Sequence, residues 1–472
     1  MPALTDREPG QSSNRMAPYL EAETAAGSPR PAYGALLAGL VTTDLGALAG
    51  DVTDTLAEGG VVFGPGRAPF RVDPVPRVIT TEEWEPLAAG LCQRTRALDR
   101  FVCDVYGRQR IVREDVVPAS VVRSAEYFEP LLQQAVHDER RWITIAGIDV
   151  VRCPDGAFRV LEDNVRTPSG LAYALAARDA VTRHVPAAGL APQALEPSLS
   201  FLADALRAAA PDGVEEPLVA LLTDGPGNTA YYDHRRLADQ LGLALVRPVD
   251  LRLRDGRLVG RDGEREFRID VIYRRTDEDR LIDPRGGTTA IADLLLEPWA
   301  RGKLGLVNCF GTGVADDKLI HSHVEDMIRF YLDEQPLIES VPTWDLSRPG
   351  ALNRVLERLD TLVVKPRSGH GGAGVVIGPR AGARELDRAA AALKANPRAH
   401  IVQETVPLSL HPTVVDGALE PRHVDLRPFV FLGAGDAAHA LPGGLTRVAF
   451  DKDEMVVNSS RNGGAKDTWV VA

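Results

Sequence analysis

ITIAGIDVVRCPDGAFRVLEDN, residues 143–164, consists of two apolar runs on either side of Asp155-Gly156. An Asp-Gly pair between two such runs is typical of a tight β-hairpin, so the segment predicts two antiparallel strands. If Asp155 and Gly156 form a two-residue turn, the cross-strand register places Asp149 directly opposite Glu162. This hairpin is the strongest local structural signal in the chain.

The hairpin also predicts a cluster of oxygen ligands. Asn164 lies two residues beyond Glu162 and therefore on the same face of its strand. Opposed carboxylates such as Asp149 and Glu162 repel each other unless a cation or a proton lies between them. Two carboxylates and an amide oxygen, without His or Cys, form a hard ligand set suited to magnesium that carries nucleotide phosphates. The alternative is that both acids point into solvent on an exposed face.

Length and charge restrict the class of protein. The chain has 472 residues, 44% of them hydrophobic, which is enough for two or three packed subdomains. The 54 Lys and Arg residues against 66 Asp and Glu give a formal charge of −12, which disfavours a nucleic-acid partner and favours small-molecule substrates. Residues 1–30 lack the apolar core of a secretion signal, and no later stretch approaches a membrane span, so we expect a soluble cytoplasmic protein without a membrane partner. The cysteines lack a CxxC pair, which favours buried free thiols at Cys92, Cys103, Cys153 and Cys309.

Changes in composition and periodicity suggest a division of the chain. The first ~30 residues have too little apolar content to offset the entropy of ordering. Apolar residues recur at helical spacing over Glu82–Tyr106, and strands alternate with a helix over 217–275. We therefore predict a disordered tail at 1–32, an N-terminal region with the hairpin at 33–212, a Rossmann-like α/β domain at 213–303, a lobe with a glycine-rich loop at 304–408, and a C-terminal part of the core at 409–472.

The glycine-rich stretch LVVKPRSGHGGAGVVIG, residues 362–378, is a candidate phosphate-binding loop. Gly369, Gly371 and Gly374 match GxGxxG, but a dinucleotide fingerprint requires a following helix. Here β-branched residues and a proline follow, so the stretch predicts strand, loop and strand. Such a loop can cover a triphosphate with backbone N–H groups, while Lys365 supplies a compact positive charge. The alternative is an ordinary mobile hairpin.

Several single residues are further candidates. Gln403 and Glu404 end the strand HIVQE and could meet an adenine or ribose edge, although a plain strand end is the commoner case. Lys318 is either a second phosphate lysine or the start of a helix. Three basic residues in the C-terminal stretch could clamp carboxylate or phosphoryl oxygens, or lie solvated on the surface: Arg427, Arg447 and Lys466. The chain has no GxSxG elbow or HExxH motif, so nothing supports a nucleophilic hydrolase or a zinc protease, and His321, His323, His411 and His423 are read as structural.

Ordered sequence blocks extend over most of the chain: PFRVDPVPRVI (69–79), GIDVVR (147–152), VLEDNVRTPSG (160–170), DVIYRR (270–275), GTGVADDK (311–318), VVKPRSGHGGAG (363–374), PRHVDLRPFV (421–430), LPGGLTRVA (441–449) and KDTW (466–469). In these blocks, from about Tyr33 onward, the chain resembles the circularly permuted ATP-grasp proteins of the second type. A more distant similarity is to glutathionylspermidine synthetase, which shares the metal hairpin and the lysine with its glycine loop.

This resemblance implies a mixed α/β and α+β, circularly permuted ATP-grasp fold with a Rossmann-like lobe, and ATP and Mg²⁺ as cofactors. The metal strands precede the lysines and the glycine loop here, which is the permutation. Arg461-Asn462 stand where the family usually has Gln-Gly. Position by position, the resemblance implies that the metal ligands are Asp149, Glu162 and Asn164. It implies phosphate contacts from Lys318, Lys365, Gly369, Gly371, Gly372 and Gly374, and adenine contacts from Gln403 and Glu404. Arg447 would lie near the transferred phosphoryl group, and the predicted catalytic set is Arg447, Lys365 and Arg427.

We therefore expect an ATP-dependent carboxylate–amine ligase that acts on small molecules, such as amino acids or peptides. In the expected reaction, a substrate carboxylate attacks the γ-phosphate, and an amine captures the acyl phosphate to form an amide. A small-molecule kinase that uses the same ATP site is one alternative. A non-catalytic nucleotide-binding scaffold is another.

Overall fold

The computed structural model describes residues 17–64, 66–135, 140–262, 265–276, 280–369, 374–451 and 463–472. The first described residue, residue 17, lies inside the segment 1–32 that the composition predicts to be a disordered tail. Residues 17–32 differ from that expectation, because Leu20 forms a β-bridge with Leu410 and Glu21 is buried. Glu21 forms ion pairs with Arg77 and Arg152, so long-range charge pairing orders a segment with little apolar content.

The N-terminal region confirms the predicted helix over Glu82–Tyr106. This helix, α3, begins with a capping box in which Thr80 and Glu83 satisfy each other's backbone N–H groups. The elements here are α1 (Pro31–Val41), α2 (Leu45–Glu58), β1 (Val62–Phe63), β2 (Ala68–Pro69), β3 (Val72–Thr80), α3 (Thr81–Tyr106), α4 (Arg110–Arg113), α5 (Ala119–Arg123), α6 (Leu132–Ala135), β4 (Ile145–Arg152) and β5 (Phe158–Asn164).

The hairpin β4–β5 has the predicted pair of acids but not the predicted turn. The N–H of Cys153 bonds to the carbonyl of Ala157 across a three-residue loop, in which Gly156 has a φ of +84°. The register then shifts by one residue at a bulge next to the acids, so Asp149 still lies opposite Glu162. The two-residue turn is therefore wrong, and the pairing is right because the extra loop residue and the bulge compensate each other.

The next region confirms the predicted alternation of strands and a helix over 217–275. Its strands β7, β6, β11 and β12 form a parallel sheet in that order, and β12 lies just beyond the predicted boundary at residue 303. The elements are α7 (Leu171–His184), α8 (Glu196–Ala208), β6 (Val219–Leu222), α9 (Tyr231–Leu241), β7 (Ala244–Val246), β8 (Leu251–Arg254), β9 (Arg257–Asp262), β10 (Arg265–Arg268), β11 (Val271–Arg274), α10 (Ala290–Ala300) and β12 (Gly305–Val307).

The glycine-rich loop connects two antiparallel strands of a small sheet, as predicted. This sheet has the order β13-β16-β14-β15, and Val363 of β14 pairs with Gln403 of β16. Gly371 and Gly372 lie outside the described residues. The elements are α11 (Val324–Leu332), β13 (Thr343–Trp344), α12 (Ala351–Glu357), β14 (Leu362–Pro366), β15 (Val376–Ile377), α13 (Ala383–Ala395) and β16 (His400–Glu404).

The last region completes the largest sheet. In the described chain this sheet has nine strands, with β20, β19, β4, β18, β21, β22 and β3 in order, β5 beside β4 and β17 beside β18. The strand β22 runs parallel to β3, so the two ends of the fold meet in one sheet. The elements are β17 (Leu410–Val415), β18 (Ala418–Arg427), β19 (Phe429–Leu432), β20 (Ala438–Ala440), β21 (Leu445–Ala449) and β22 (Gly463–Val471).

The structure also bears on membrane-spanning helices, on the cysteines and on the fold class. The described residues include no single helix long and apolar enough to cross a membrane, although α1 and α2, bent by 101° at their junction, pass that test as a pair. The four cysteines are free thiols, as predicted, but Cys153 and Cys309 are buried whereas Cys92 and Cys103 are half-buried. The mixture of a parallel sheet with antiparallel sheets confirms the predicted α/β and α+β class.

Candidate active site

A cleft of about 540 Å³ is lined by residues of the large sheet, the small sheet and the start of α7. This volume lies in the range of small-molecule sites. Residues from the hairpin, the β14–β16 strands and the C-terminal strands meet here, although they are far apart in the sequence. The predicted residues that line the cleft are Asp149, Glu162, Asn164, Lys318, Lys365, Gly369, Gln403, Glu404, Arg427 and Arg447.

Two arginines hold the first acid of the hairpin. Arg427, at the end of β18, donates to both carboxylate oxygens of Asp149, with its Nε 2.6 Å from Oδ1 and its Nη2 2.9 Å from Oδ2. Arg447 of β21 places its Nη2 3.0 Å from Oδ2 of Asp149 and also binds Asp425 of β18. Burial opposes ionisation of Asp149, but the two guanidinium groups outweigh it and lower the pKa of this carboxyl.

The second acid of the hairpin contacts a lysine instead. The Nζ of Lys318 lies 3.0 Å from Oε1 of Glu162 and also donates to the carbonyl oxygen of Gly369 at 3.0 Å. Lys318 therefore connects the hairpin to the start of the glycine-rich loop. Because Lys318 balances Glu162 and the arginines balance Asp149, charge repulsion between the acids does not by itself require a metal ion. The structure corrects that step of the sequence argument.

Lys365 contributes to the cleft from the small sheet. It belongs to β14, and its side chain lines the same cleft as Glu162 and Lys318. The pKa of Lys365 is lowered to about 8, chiefly because burial disfavours the charged form. Within this net shift the carboxylates of Glu162 and Asp149 raise the pKa, and the charge of Lys318 lowers it. A lysine with this pKa is still mostly protonated at neutral pH and can meet an anionic ligand.

Gln403 and Glu404 form a hydrogen-bonding edge in the cleft. Gln403 donates its amide N–H to the hydroxyl of Thr343 at 2.9 Å, and Glu404 forms an ion pair with Arg358 at 3.2 Å. The Oε1 atoms of Gln403 and Glu404 are both buried without a hydrogen-bond partner among the described residues. Unsatisfied acceptors in a cleft are costly unless a ligand or water meets them. The exocyclic amino group of adenine is a donor of that kind.

The predicted glycines have different positions. Gly369 lines the cleft, with a φ of +113° that favours glycine. Gly374, with a φ of +74°, lies at the far end of the loop, where an added Cβ would come within 2.9 Å of the ring of Pro366. Gly374 therefore shapes the loop end rather than the described wall of the cleft.

The sequence profile of the family described as circularly permuted ATP-grasp type 2 matches residues 76–449. The chain belongs to this family. Its ATP-grasp fold is also similar to that of a glutathione synthetase-like effector from Globodera pallida, with a TM-score of 0.58 at 12% identity over 91% of this chain and 99% of the other. At this identity, the similarity concerns the fold alone.

Two curated relatives illustrate the range of similarity. An uncharacterized protein of Synechocystis is 42% identical over 407 residues, which cover 85% of this chain and 84% of the relative. A protein of Frankia casuarinae, named "Putative glutamate--cysteine ligase 2-2", is 42% identical over 469 residues, which cover 96% of this chain and 53% of the relative. The ATP-grasp chain thus spans about half the length of the relatives that carry the ligase name.

The oxygen ligands of the ATP-grasp cleft fit a magnesium ion. Each carboxylate oxygen has two lone pairs, so Oδ1 of Asp149, which accepts one bond from Arg427, keeps one free. The amide nitrogen of Asn164 is buried without a partner among the described residues, so no hydrogen bond from that nitrogen fixes the amide orientation. No cluster of three or more His, Cys, Asp and Glu side chains with metal-binding geometry occurs in the described chain, so such a site would depend on Asn164 and on phosphate oxygens.

Sequence reasoning missed Asp425 as part of the ATP-grasp cleft. Asp425 is buried, lines the cleft and lies opposite Arg447 in the β18–β21 register. The available signal was its spacing, because Asp425 and Arg427 are two residues apart and therefore share a face of one strand. Lys466, which the sequence offered as a possible clamp, is instead buried against Asp73 and does not line the cleft.

A second missed group lies behind the hairpin. Asp163 points to the opposite face from Glu162 and binds Arg94 through both carboxylate oxygens, at 2.6 and 2.7 Å. The Nδ1 of His321 lies 2.7 Å from the same carboxylate. Burial opposes ionisation of Asp163, yet Arg94 lowers its pKa below the usual range. This buried network holds β5 against α3 and thereby supports Glu162 and Asn164.

Proposed function

We propose that the protein is an ATP- and magnesium-dependent carboxylate–amine ligase that works through an acyl phosphate. One observation carries the proposal: two acids, two lysines and two arginines from distant parts of the chain converge on one cleft, with Lys318 joining the hairpin to the glycine-rich loop. Such a cluster of compensated charges suits a ligand that brings both negative phosphates and a cation.

Each part of the cleft has a role in this proposal. Asp149, Glu162 and Asn164 would hold Mg²⁺, which neutralises charge on the phosphate oxygens when bound. Lys318 and Lys365 contact the phosphates, and the loop from Gly369 onward covers them. At the other end of the nucleotide, Gln403 and Glu404 accept hydrogen bonds from adenine.

The reaction needs positioning rather than a protein nucleophile. An oxygen of the substrate carboxylate forms a bond to the γ-phosphorus as the bond to the ADP oxygen breaks. Arg427 and Arg447 stabilise the migrating phosphoryl group through charge-assisted hydrogen bonds. The amine nitrogen then bonds to the acyl carbon, phosphate leaves, and the amine proton passes to solvent. ADP, phosphate and an amide are the products.

The relatives support the class of substrate. The names of two relatives refer to a glutamate–cysteine ligase, and the structural neighbour is described as glutathione synthetase-like. Both names concern reactions of amino acids or small peptides. We therefore propose amino-acid or peptide carboxylates and amines as substrates.

The test traps the acyl phosphate with hydroxylamine, which needs no knowledge of the natural amine. Purified protein with MgATP, hydroxylamine and a panel of carboxylates should release ADP and form a hydroxamate, which mass spectrometry detects. Glu162→Gln keeps the shape of the side chain but removes its charge, so we expect turnover to fall about 100-fold or more. The matched control is Glu339→Gln, because Glu339 is 65% exposed and does not line the cleft.

One result would contradict the metal site, and another would contradict the ligase. Equal hydroxamate rates for Glu162→Gln and the Glu339→Gln control would remove the metal assignment. ADP release that depends on a hydroxyl compound, without hydroxamate from any carboxylate, would favour the kinase alternative.

A further inference from the structure

Part of the cleft, called the aromatic end, is lined by three rings. Phe63, Phe70 and Tyr173 all line the cleft. The ring centroids of Phe70 and Tyr173 are 4.5 Å apart, and those of Phe63 and Tyr173 are 5.8 Å apart in an edge arrangement. Phe70 and Tyr173 are buried, whereas Phe63 is half-buried. No step of the proposed reaction uses these rings.

Two of the three rings belong to or adjoin a small hairpin, β1–β2. Phe63 lies in β1, and Phe70 directly follows β2. Both precede residue 76, where the family match begins, whereas Tyr173 lies within the match. Two hydrogen bonds hold β1 beside the cleft residues: the N–H of Gly64 bonds to the carbonyl of Thr229 at 3.1 Å, and the hydroxyl of Tyr173 bonds to the carbonyl of Val62 at 2.9 Å.

The arginine that holds Asp149 contacts the chain just before the helix that carries one of the rings. Arg427 donates from Nη1 to the carbonyl of Ser169 at 3.4 Å, and α7 begins two residues later. Tyr173 lies in the first turn of α7. A carboxylate that reacts beside Arg427 and Arg447 therefore has the aromatic rings within the same lining.

The charged groups Asp233 and Arg275 at this end balance each other. Asp233 accepts the N–H of Ala172 in the first turn of α7 at 2.8 Å and binds Nη2 of Arg275 at 2.9 Å. His234 binds Thr223 at 2.8 Å, and burial lowers its pKa to about 2, which leaves the imidazole uncharged. Nε of Arg275 is buried without a hydrogen-bond partner among the described residues, but Asp233 already balances the charge of this guanidinium, so a second carboxylate would not meet a free cation in Arg275.

From these contacts, and on the basis of the proposed function, we infer that the aromatic end binds an uncharged, apolar side chain of about the size of a phenyl ring on the carboxylate substrate. Phe63 and Phe70 are then specificity-determining residues. This substrate class excludes substrates with a second carboxylate, such as glutamate. At this end, that second carboxylate would lie against the rings and the Asp233–Arg275 pair, which is already balanced in charge.

The experiment measures the binding of three probes in the presence of Mg²⁺ and the non-hydrolysable ATP analogue AMP-PNP. 3-Phenylpropanoate carries the phenyl group and one carboxylate. Glutarate carries a second carboxylate, one methylene further along the chain, instead of the phenyl group, and 2-phenylethylamine carries the phenyl group on an amine. We expect 3-phenylpropanoate to bind at least about 10-fold more tightly than either of the others. Tighter binding of glutarate would overturn the inference, and tighter binding of 2-phenylethylamine would show that the amine substrate occupies this end.

A variant with a matched control ties the preference to the aromatic end. Phe63→Ala should raise the Kd for 3-phenylpropanoate about 10-fold and leave that for AMP-PNP unchanged, and Phe63→Leu should give an intermediate value. Phe330→Ala is the control, because Phe330 is also half-buried and makes an edge contact with a tyrosine, Tyr331, but does not line the cleft. An unchanged Kd for 3-phenylpropanoate in Phe63→Ala would overturn the assignment.

The same probes distinguish this inference from the ligase proposal. Selective binding of 3-phenylpropanoate that is lost in Phe63→Ala, without hydroxamate formation, supports the binding site and contradicts the ligase. Hydroxamate formation from glutarate at the same efficiency as from 3-phenylpropanoate supports the ligase and overturns the aromatic site.

Discussion

At the scale of a single residue, Lys365 in the cleft has a perturbed pKa, and we expect the proposed nucleotide binding to depend on pH through it. Burial lowers the pKa of Lys365 to about 8, so its ammonium group loses its proton as the pH rises through that value. The unfolded chain, with an ordinary lysine pKa, binds more protons between about pH 8 and pH 10.4, so this residue makes the fold more stable as the pH rises through that window. Its charge therefore has a cost in stability that a bound phosphate would offset.

We expect the affinity for AMP-PNP to fall about 10-fold between pH 7 and pH 9.5, because a charge-assisted contact to phosphate is lost. Lys365→Arg keeps its charge over this range and should show a much flatter profile, and Lys365→Ala should bind about 10-fold more weakly at pH 7. Titration calorimetry at several pH values measures all three. Parallel profiles for the wild-type protein and Lys365→Arg would assign the pH dependence to another group.

At the scale of elements, the hairpin β4–β5 determines where the acids lie. Its three-residue loop needs Gly156 at a φ of +84°, and the following bulge restores the register that places Asp149 opposite Glu162. The loop also lies close to the N-terminal segment: a Cβ added to Gly156 would lie 3.2 Å from Cε2 of Tyr19.

Gly156→Ala should therefore lower the free energy of unfolding by about 2 kcal/mol, the sum of backbone strain and this close contact. Gly189→Ala separates the two effects, because Gly189 has a φ of +83° and no atom within 4 Å of an added Cβ. The control should cost about 1 kcal/mol from strain alone. Urea denaturation measures both, and equal losses would show that Tyr19 gives way without cost.

At the scale of the whole molecule, the large sheet joins distant ends of the fold. The strand β22 lies between β21 and β3, and Trp469 within it is buried. Residues near the start of the folded chain therefore reach the sheet that holds Asp149, Arg427 and Arg447 through β22. The cleft depends on a strand that contributes no residue to its lining.

Deletion of residues 463–472 should abolish cooperative unfolding, because it removes β22 and leaves β3 without a partner in the sheet. Trp469→Ala gives a graded version, with an expected loss of about 3–5 kcal/mol. Deletion of Ala472 alone, which is exposed, is the control and should leave thermal unfolding unchanged. A sharp transition in the protein without 463–472 would mean that β22 is dispensable.

Much of the candidate site was visible as short patterns. The Asp-Gly turn with its flanking apolar runs predicted the hairpin, and the lysine followed by glycines and β-branched residues predicted strand, loop and strand. The helical spacing of apolar residues over 82–106 predicted α3. These predictions hold because periodicity and turn-forming residues act within a few positions, so local sequence carries them.

The sequence alone determined the helix α3, the hairpin β4–β5, the alternation over 217–275, the strands on either side of the glycine-rich loop, and the pair of acids at Asp149 and Glu162. Only the tertiary structure decided which charges meet: Arg427 holds Asp149 across 278 positions, and Lys318 balances the charge of Glu162. It also brought Phe63 and Phe70 into the lining of the cleft and buried Lys466 outside that lining. Contacts of this kind depend on how sheets pack and pair across the whole chain, and no local spacing encodes that arrangement.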